Sequence, residues 1–273
     1  MLTSLELWII IIGMATPFLA TALGSAAVFL FRGPISDKLN SIFLGFAAGV
    51  MIAASVWSLI LPSLEFAEAT GWGKFAIVPV AVGFALGVLF LWLIDHLVPH
   101  IHGRSKEEEG LPAKKLSRDA KLFLAMTIHN IPEGMAVGFT FAVAYAGIVD
   151  PSIAQLSLFG ALALSIGIAI QNIPEGAAVS LPMAKRLNSK GKAFGFGVAS
   201  GLVEPLGAIV AFLFATVFHS LLPWFLSFAA GAMMFVVVEE LIPEARLSGT
   251  EHQGTFAVMI GFVLMMVLDI VLS

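Results

Sequence analysis

Apolar residues fill eight long stretches of this chain, at approximately 5–31, 39–64, 75–98, 121–145, 153–183, 192–218, 221–242 and 253–272. A helix needs roughly 20 apolar residues to cross a bilayer core about 30 Å thick, and each stretch meets or approaches that length. The connections are short except for the one at 99–120. The pattern predicts an all-α polytopic membrane protein with eight transmembrane helices. The spans form a single transmembrane domain over 1–273 with one long loop at 99–120.

Composition sharpens this. The chain is 59% apolar and 12% charged, with a mean hydropathy of +0.99, far from the average of soluble domains. It has no cysteine, which excludes disulfides and thiolate metal sites. Met1 to Glu6 carries no basic residue before the first apolar run, so that run reads as a span and not as a cleaved signal peptide. The net charge of −4 says less than where the charges stand. Taking alternate connections, one side carries Arg32, Lys38, Arg104, Lys106, Lys114, Lys115, Arg118, Lys121, Lys185, Arg186, Lys190, Lys192 and Arg246, leaving only Lys74 opposite. The positive-inside rule then puts the 99–120 loop in the cytoplasm and both termini outside; the expected location is the cell inner (plasma) membrane.

Self-similarity runs along the whole chain. Phe46-Ala47-Ala48-Gly49-Val50-Met51 in span 2 recurs as Phe228-Ala229-Ala230-Gly231-Ala232-Met233 in span 7. Leu23-Gly24 followed by Phe29-Leu30-Phe31 in span 1 recurs as Leu206-Gly207 followed by Phe212-Leu213-Phe214 in span 6. Gly83-Phe84-Ala85-Leu86 in span 3 echoes Gly261-Phe262-Val263-Leu264 in span 8 more weakly. Spans 1–3 thus correspond to 6–8, and span 4 to 5. Under the alternating topology the paired spans run in opposite directions. That is an inverted repeat, which in transporters sets the substrate site near the midplane.

The pairing of span 4 with span 5 carries the chemistry. His129-Asn130-Ile131-Pro132-Glu133-Gly134 recurs 42 residues later as Gln171-Asn172-Ile173-Pro174-Glu175-Gly176. Ionisable groups at membrane depth are costly unless partnered, so they mark a functional site. His129 and Glu133, and Gln171 and Glu175, are four residues apart and share a helix face, spaced to hold one ion between them. Pro132 and Pro174 each remove a backbone donor, freeing the carbonyls of Ile128 and Ile170. Gly134 and Gly176 permit close helix approach. Imidazole nitrogen with hard oxygen donors suits a divalent first-row metal better than magnesium, calcium or an organic cation. A third carboxylate, Glu204, stands in span 6. Counted from Lys121, Lys185 and Lys192 at about 1.5 Å per residue, Glu133, Glu175 and Glu204 share a depth roughly 15–18 Å from the cytoplasmic edge. Two divalent ions balance three such carboxylates better than one, with Glu133 and Glu175 as bridges.

The paired hexapeptides on adjacent spans, among eight spans with a long loop after the third, resemble the ZIP family (Zrt-, Irt-like proteins) of divalent metal transporters, its bacterial members above all. The resemblance covers essentially the whole chain. It implies one metal site at His129, Glu133, Gln171 and Glu175 with Met51 nearby, and a second at Asn130, Glu133, Asn172, Glu175 and Glu204. It further implies uptake of zinc, and variably of iron, manganese or cadmium, toward the cytoplasm. An elevator-like movement of spans 1, 4, 5 and 6 against 2, 3, 7 and 8 is part of the same expectation. Position 172 is Asn where some two-metal members carry Asp, so the second site has one negative charge fewer. The metal is cargo; no cofactor is expected. The partners are divalent metal ions and the lipid bilayer, with a homodimer open and no nucleic acid.

Two other classes stay open on the residues alone. An intramembrane carboxylate-bridged metalloenzyme would also join glutamates and histidine, although such sites place Glu-x-x-His at i, i+3. A passive channel is the other. Toward the cytoplasmic side Glu239, Glu240, Asp95, His96, His100 and His102 could form an exit path, or cap helix ends in water. The Glu107-Glu108-Glu109 run is either a metal-collecting patch or a solvated linker. On the opposite side Glu65, Glu68, Asp150 and Asp269 could draw cations in. His219 and His252 have no expected role.

Overall fold

A computed structural model of the chain describes residues 2–31, 36–101, 108–111, 116–151, 156–246 and 252–272. Among these residues eight helices are long and apolar enough to cross a membrane. They are span 1, Ser4–Leu30; span 2, Asp37–Phe75; span 3, Ile77–Leu97; span 4, Phe123–Val149; span 5, Leu158–Leu187; span 6, Lys190–Val217; span 7, His219–Arg246; and span 8, Gln253–Leu272.

Serine caps set several of the starts. Ser36, Ser117, Ser157 and Ser189 each accept a hydrogen bond from the backbone N–H three residues on, filling one of the donors a helix leaves open. Span 5 therefore begins at Leu158, later than the apolar run suggests, and the helix carrying span 4 begins earlier, at Arg118. Where the chain returns from span 3, His100 and Ile101 pair antiparallel with Glu109 and Glu108. Part of the 99–120 connection is thus a short ladder outside the helices. Arg32, Arg104, Lys106, Lys114, Lys115, Glu107 and His102 lie outside the described residues.

Spans 2 and 7 are the longest departures from expectation. Each contains a π turn, Ser55–Ile60 in span 2 and Val237–Leu241 in span 7. Pro62 and Pro243 follow shortly after. A proline ring clashes with the carbonyl four residues back, and a widened turn relieves that clash without ending the helix. Both spans therefore run past the ends the hydropathy suggests, to Ala67 before the next irregular turn and to Arg246. In the register Phe46 to Phe228, the two π turns begin at equivalent residues.

The most extensive packing joins span 1 to span 5, span 4 to span 6, span 2 to span 8 and span 3 to span 7. Glycine makes the approaches close. A Cβ on Gly49 would overlap the backbone of Val258 and Phe262, and one on Gly231 the backbone of Phe84. On the facing helices, Gly261 lies against Phe46 and Val50, and Gly87 against Phe228 and Ala232. Packing therefore equates Gly87 with Gly261. The sequence echo equates Gly83 with Gly261, one helical turn away, because a four-residue likeness does not report which turn touches the neighbour.

Gly87→Val should lower the thermal unfolding midpoint of the detergent-solubilised protein, since forcing a side chain into a closed contact costs about 1–3 kcal/mol or more. Gly191→Ala should leave the midpoint unchanged or slightly raised, because nothing lies within 4 Å of a Cβ built there and alanine favours the helix. Equal losses in the two variants would contradict backbone-on-glycine packing.

Candidate metal centre

The two hexapeptides lie inside unbroken helices, Arg118–Val149 and Leu158–Leu187, despite Pro132 and Pro174. Span 6 is different. It divides at Leu202 into Lys190–Gly201 and Val203–Val217, just ahead of Pro205. Glu204 thereby falls in the first turn of a half-helix, where the helix dipole favours negative charge.

Three carboxylates converge on this region. Glu133 is 1% exposed, Glu175 7% and Glu204 1%. No Lys or Arg among the described residues pairs with any of them. What meets Glu133 and Glu204 instead is neutral. Gln171 Nε2 donates to Glu133 Oε1 at 2.7 Å, and Asn172 Nδ2 donates to Glu204 Oε2 at 3.1 Å. Thr21 Oγ1, from span 1, donates to Glu204 Oε1 at 2.8 Å. Both carboxamides thus turn their nitrogens to carboxylates, which leaves their oxygens facing elsewhere. Gln171 Oε1, Asn172 Oδ1 and Glu133 Oε2 are buried with no hydrogen-bond partner. Buried polar atoms are nearly always paired, so these three acceptors stand out as oxygens available to a ligand.

Asn130 is 2% exposed and spends its amide on span 6, donating to the Ser200 carbonyl at 3.0 Å. Asn172 also reaches the Pro17 carbonyl of span 1, at 3.4 Å. Pro17 has no N–H, and the Gly13 carbonyl it would have met accepts from Ser165 Oγ of span 5 at 2.5 Å. Gly134 packs on the Glu204 backbone, and Gly176 on the Thr21 backbone. In the register Leu23-Gly24 to Leu206-Gly207, Pro17 is equivalent to Ser200 and Thr21 to Glu204. The two asparagines therefore bind equivalent carbonyls, and the two glycines rest on equivalent residues.

His129 has 12% of its side chain exposed, and its Nε2 contacts Glu240 Oε2. Glu240 comes from the π turn of span 7 and is 5% exposed. It is not an exposed helix-end cap: it reaches the histidine of the first hexapeptide. The wide turn that carries it is invisible to hydropathy. Met51 is 1% exposed and shares its buried cluster with Ile128 and Ile168, which neighbour the two hexapeptides. No three His, Asp or Glu side chains among the described residues form a ready-made cage. A cation held here would need the carboxamide oxygens as well.

The flanking groups separate by burial. Asp95 Oδ1 lies 2.9 Å from His100 Nε2, and His100 Nδ1 lies 2.7 Å from the Val98 carbonyl, so this pair is held at the end of span 3. Glu239 and His96 are exposed, with His96 stacked on Trp92. His102 lies outside the described residues. On the other side Glu65, Glu68 and Asp150 are exposed, whereas Asp269 is 6% exposed and accepts from Ser58 Oγ at 2.5 Å. His219 and His252 are exposed. Sequence reasoning overlooked Thr21 and Ser58. The signal for Thr21 was present, since the repeat register places it opposite Glu204.

Comparison with known proteins identifies the family. Residues 106–269 match the family model described as ZIP Zinc transporter. The chain is 41% identical to Zinc transporter ZIPB of Bordetella bronchiseptica, over 96% of this chain and 81% of that protein. It is 36% identical to Zinc transporter ZIP11 of Homo sapiens, over 92% of this chain and 93% of the relative. With Zinc transporter GufA of Myxococcus xanthus the identity is 37%, over 93% and 95%. The paired hexapeptides, the eight spans and these full-length matches lead to one conclusion: the chain belongs to the ZIP family of zinc transporters.

Proposed function

We propose that this protein carries Zn²⁺, and chemically similar divalent ions such as Cd²⁺, Fe²⁺ and Mn²⁺, into the cytoplasm through a binuclear site at the membrane midplane. As a member of a zinc transporter family it is a multi-pass membrane protein that moves divalent metal, and it is a transporter and not an enzyme. The observation that carries the finer reading is the set of orphaned buried oxygens, Glu133 Oε2, Gln171 Oε1 and Asn172 Oδ1, beside three carboxylates that no Lys or Arg among the described residues pairs with. Neutral donors hold Glu133 and Glu204 in place without neutralising them. Divalent cations supply what is missing.

In this reading the first ion takes His129, Glu133, Gln171 and Glu175, with Met51 nearby. The second takes Asn130, Glu133, Asn172, Glu175 and Glu204. The contact between His129 and Glu240 links the first ion to an exit route along Glu240, Asp95 and His100, with Glu239, His96 and His102 farther out. Asp269 with Ser58 serves the opposite, outer approach. The basic residues of the 99–120 side support placing that side in the cytoplasm of an inner-membrane protein, with both termini outside.

Movement follows the grouping of the helices. Spans 1, 4, 5 and 6 form one bundle and spans 2, 3, 7 and 8 another. Within each bundle glycines such as Gly24, Gly134, Gly49 and Gly231 meet backbone, a rigid contact. Between bundles Gly167 of span 5 meets the Met265 thioether and Val50, and flexible side chains tolerate sliding better. The exchange of contacts between spans 1 and 6, and between 2 and 7, supports an inverted repeat whose two halves alternate access.

Glu133→Ala or Glu175→Ala should cut ⁶⁵Zn uptake into proteoliposomes by roughly a hundredfold or more, the scale of losing a charged contact worth about 3 kcal/mol. Membrane insertion should be intact. Undiminished uptake in either variant would sink the bridging role. His129→Ala should weaken one of two bound ions by roughly tenfold or more, read by equilibrium dialysis of the purified protein. Asn172→Asp adds a carboxylate and should tighten the second ion; identical metal stoichiometry and affinity in wild type and variant would refute its place at that site.

A further inference from the structure

We infer that Thr21 of span 1 is the positioning residue that sets the Glu204 carboxylate, and with it the second ion's site; this rests on the binuclear reading above. Thr21 is 4% exposed and Glu204 is 1% exposed. The hydroxyl has one proton and two acceptors in reach, Glu204 Oε1 at 2.8 Å and the Pro17 carbonyl at 3.2 Å. The shorter contact is at the favoured length for O–H···O and goes to the stronger, charged acceptor. The back-bond to the carbonyl four residues earlier is the ordinary habit of a helical threonine, but it is the longer of the two.

The network leaves Thr21 little freedom to act otherwise. Glu204 Oε2 is already taken by Asn172 Nδ2, and the same nitrogen faces the Pro17 carbonyl. With one oxygen of Glu204 on Thr21 and the other on Asn172, the plane of the carboxylate is determined. Asn172 Oδ1 is in turn directed away from both partners, where it has none. Removing the Thr21 hydroxyl frees Glu204 to rotate, and the Asn172 amide loses its reason to face one way.

Position 21 is also where the repeat would put a second Glu204. Gly176 rests on Thr21 as Gly134 rests on Glu204, and Asn172 binds the carbonyl of Pro17 as Asn130 binds that of Ser200. One half of the molecule supplies a ligand at this place and the other supplies the group that aims it. The site therefore has one side that binds and one side that orients, although the surrounding contacts are paired.

The test is Cd²⁺ binding to the purified full-length chain in detergent, followed by equilibrium dialysis and thermal melting. The variants are Thr21→Val, Thr21→Ala, Thr21→Ser, Glu204→Gln and Thr21→Val with Glu204→Gln. Wild type should bind two ions; a single ion would overturn the binuclear reading, and the double-variant comparison would still decide the role of Thr21. Thr21→Val, or Thr21→Ala should valine not fold, should weaken the Glu204-dependent binding step by roughly tenfold, the scale of losing a hydrogen bond to a charged group. The other step should be unchanged, and Thr21→Ser should bind within about twofold of wild type. In the Glu204→Gln background the valine substitution should add nothing. Equal weakening of both steps, a serine variant as impaired as the valine one, an additive double variant or no effect at all would each overturn the assignment.

Discussion

The structure is arranged around three buried carboxylates, two of which, Glu133 and Glu204, are met by uncharged donors. Glu133, Glu175 and Glu204 are each less than a tenth exposed, in a setting where an unpartnered charge is among the most expensive features a chain can carry. Glutamine, asparagine and threonine hold the oxygens in direction without cancelling their charge. Lysine or arginine in the same places would satisfy the carboxylates permanently and leave nothing for an ion to do. Neutral partners distinguish Glu133 and Glu204 from a structural ion-pair network.

That constraint reaches into the backbone. Carboxylates from three helices can share one locality only where the helices approach closely, and here glycine allows it. Gly134 lies against span 6 at Glu204 and Gly176 against span 1 at Thr21. The prolines cooperate by removing donors whose absence other groups use: Pro17 leaves the Gly13 carbonyl to Ser165, and Pro205 follows the break that puts Glu204 at a half-helix start. Backbone irregularity inside a membrane is tolerated only where something re-satisfies it. In this protein the break in span 6 and the π turn in span 7 each carry a buried glutamate, Glu204 and Glu240.

Much of this could be read in the chain beforehand. The eight spans, the paired hexapeptides and the common depth of the three glutamates follow from apolar runs and from residue counts, because helical rise converts sequence distance into depth. The caps at Ser36, Ser117, Ser157 and Ser189 were also legible, and reading them would have corrected the starts of spans 4 and 5. The correspondence of span 3 with span 8 was misaligned by one turn, since Gly83 and Gly87 look alike until one of them is seen against Phe228.

Hydropathy and motif determined the class of protein on their own and singled out Glu133, Glu175 and Glu204, which the structure buries, because membrane spans must satisfy their backbones locally and leave their polar side chains as the conspicuous exceptions. Tertiary structure alone decided which neighbours meet those side chains. The π turn that brings Glu240 to His129 arises from a local clash with no hydropathy signature. The hydroxyl that Thr21 offers Glu204 comes from 183 residues away. Helix direction and burial are properties of one segment at a time, whereas an orienting hydrogen bond between distant spans exists only once both are packed.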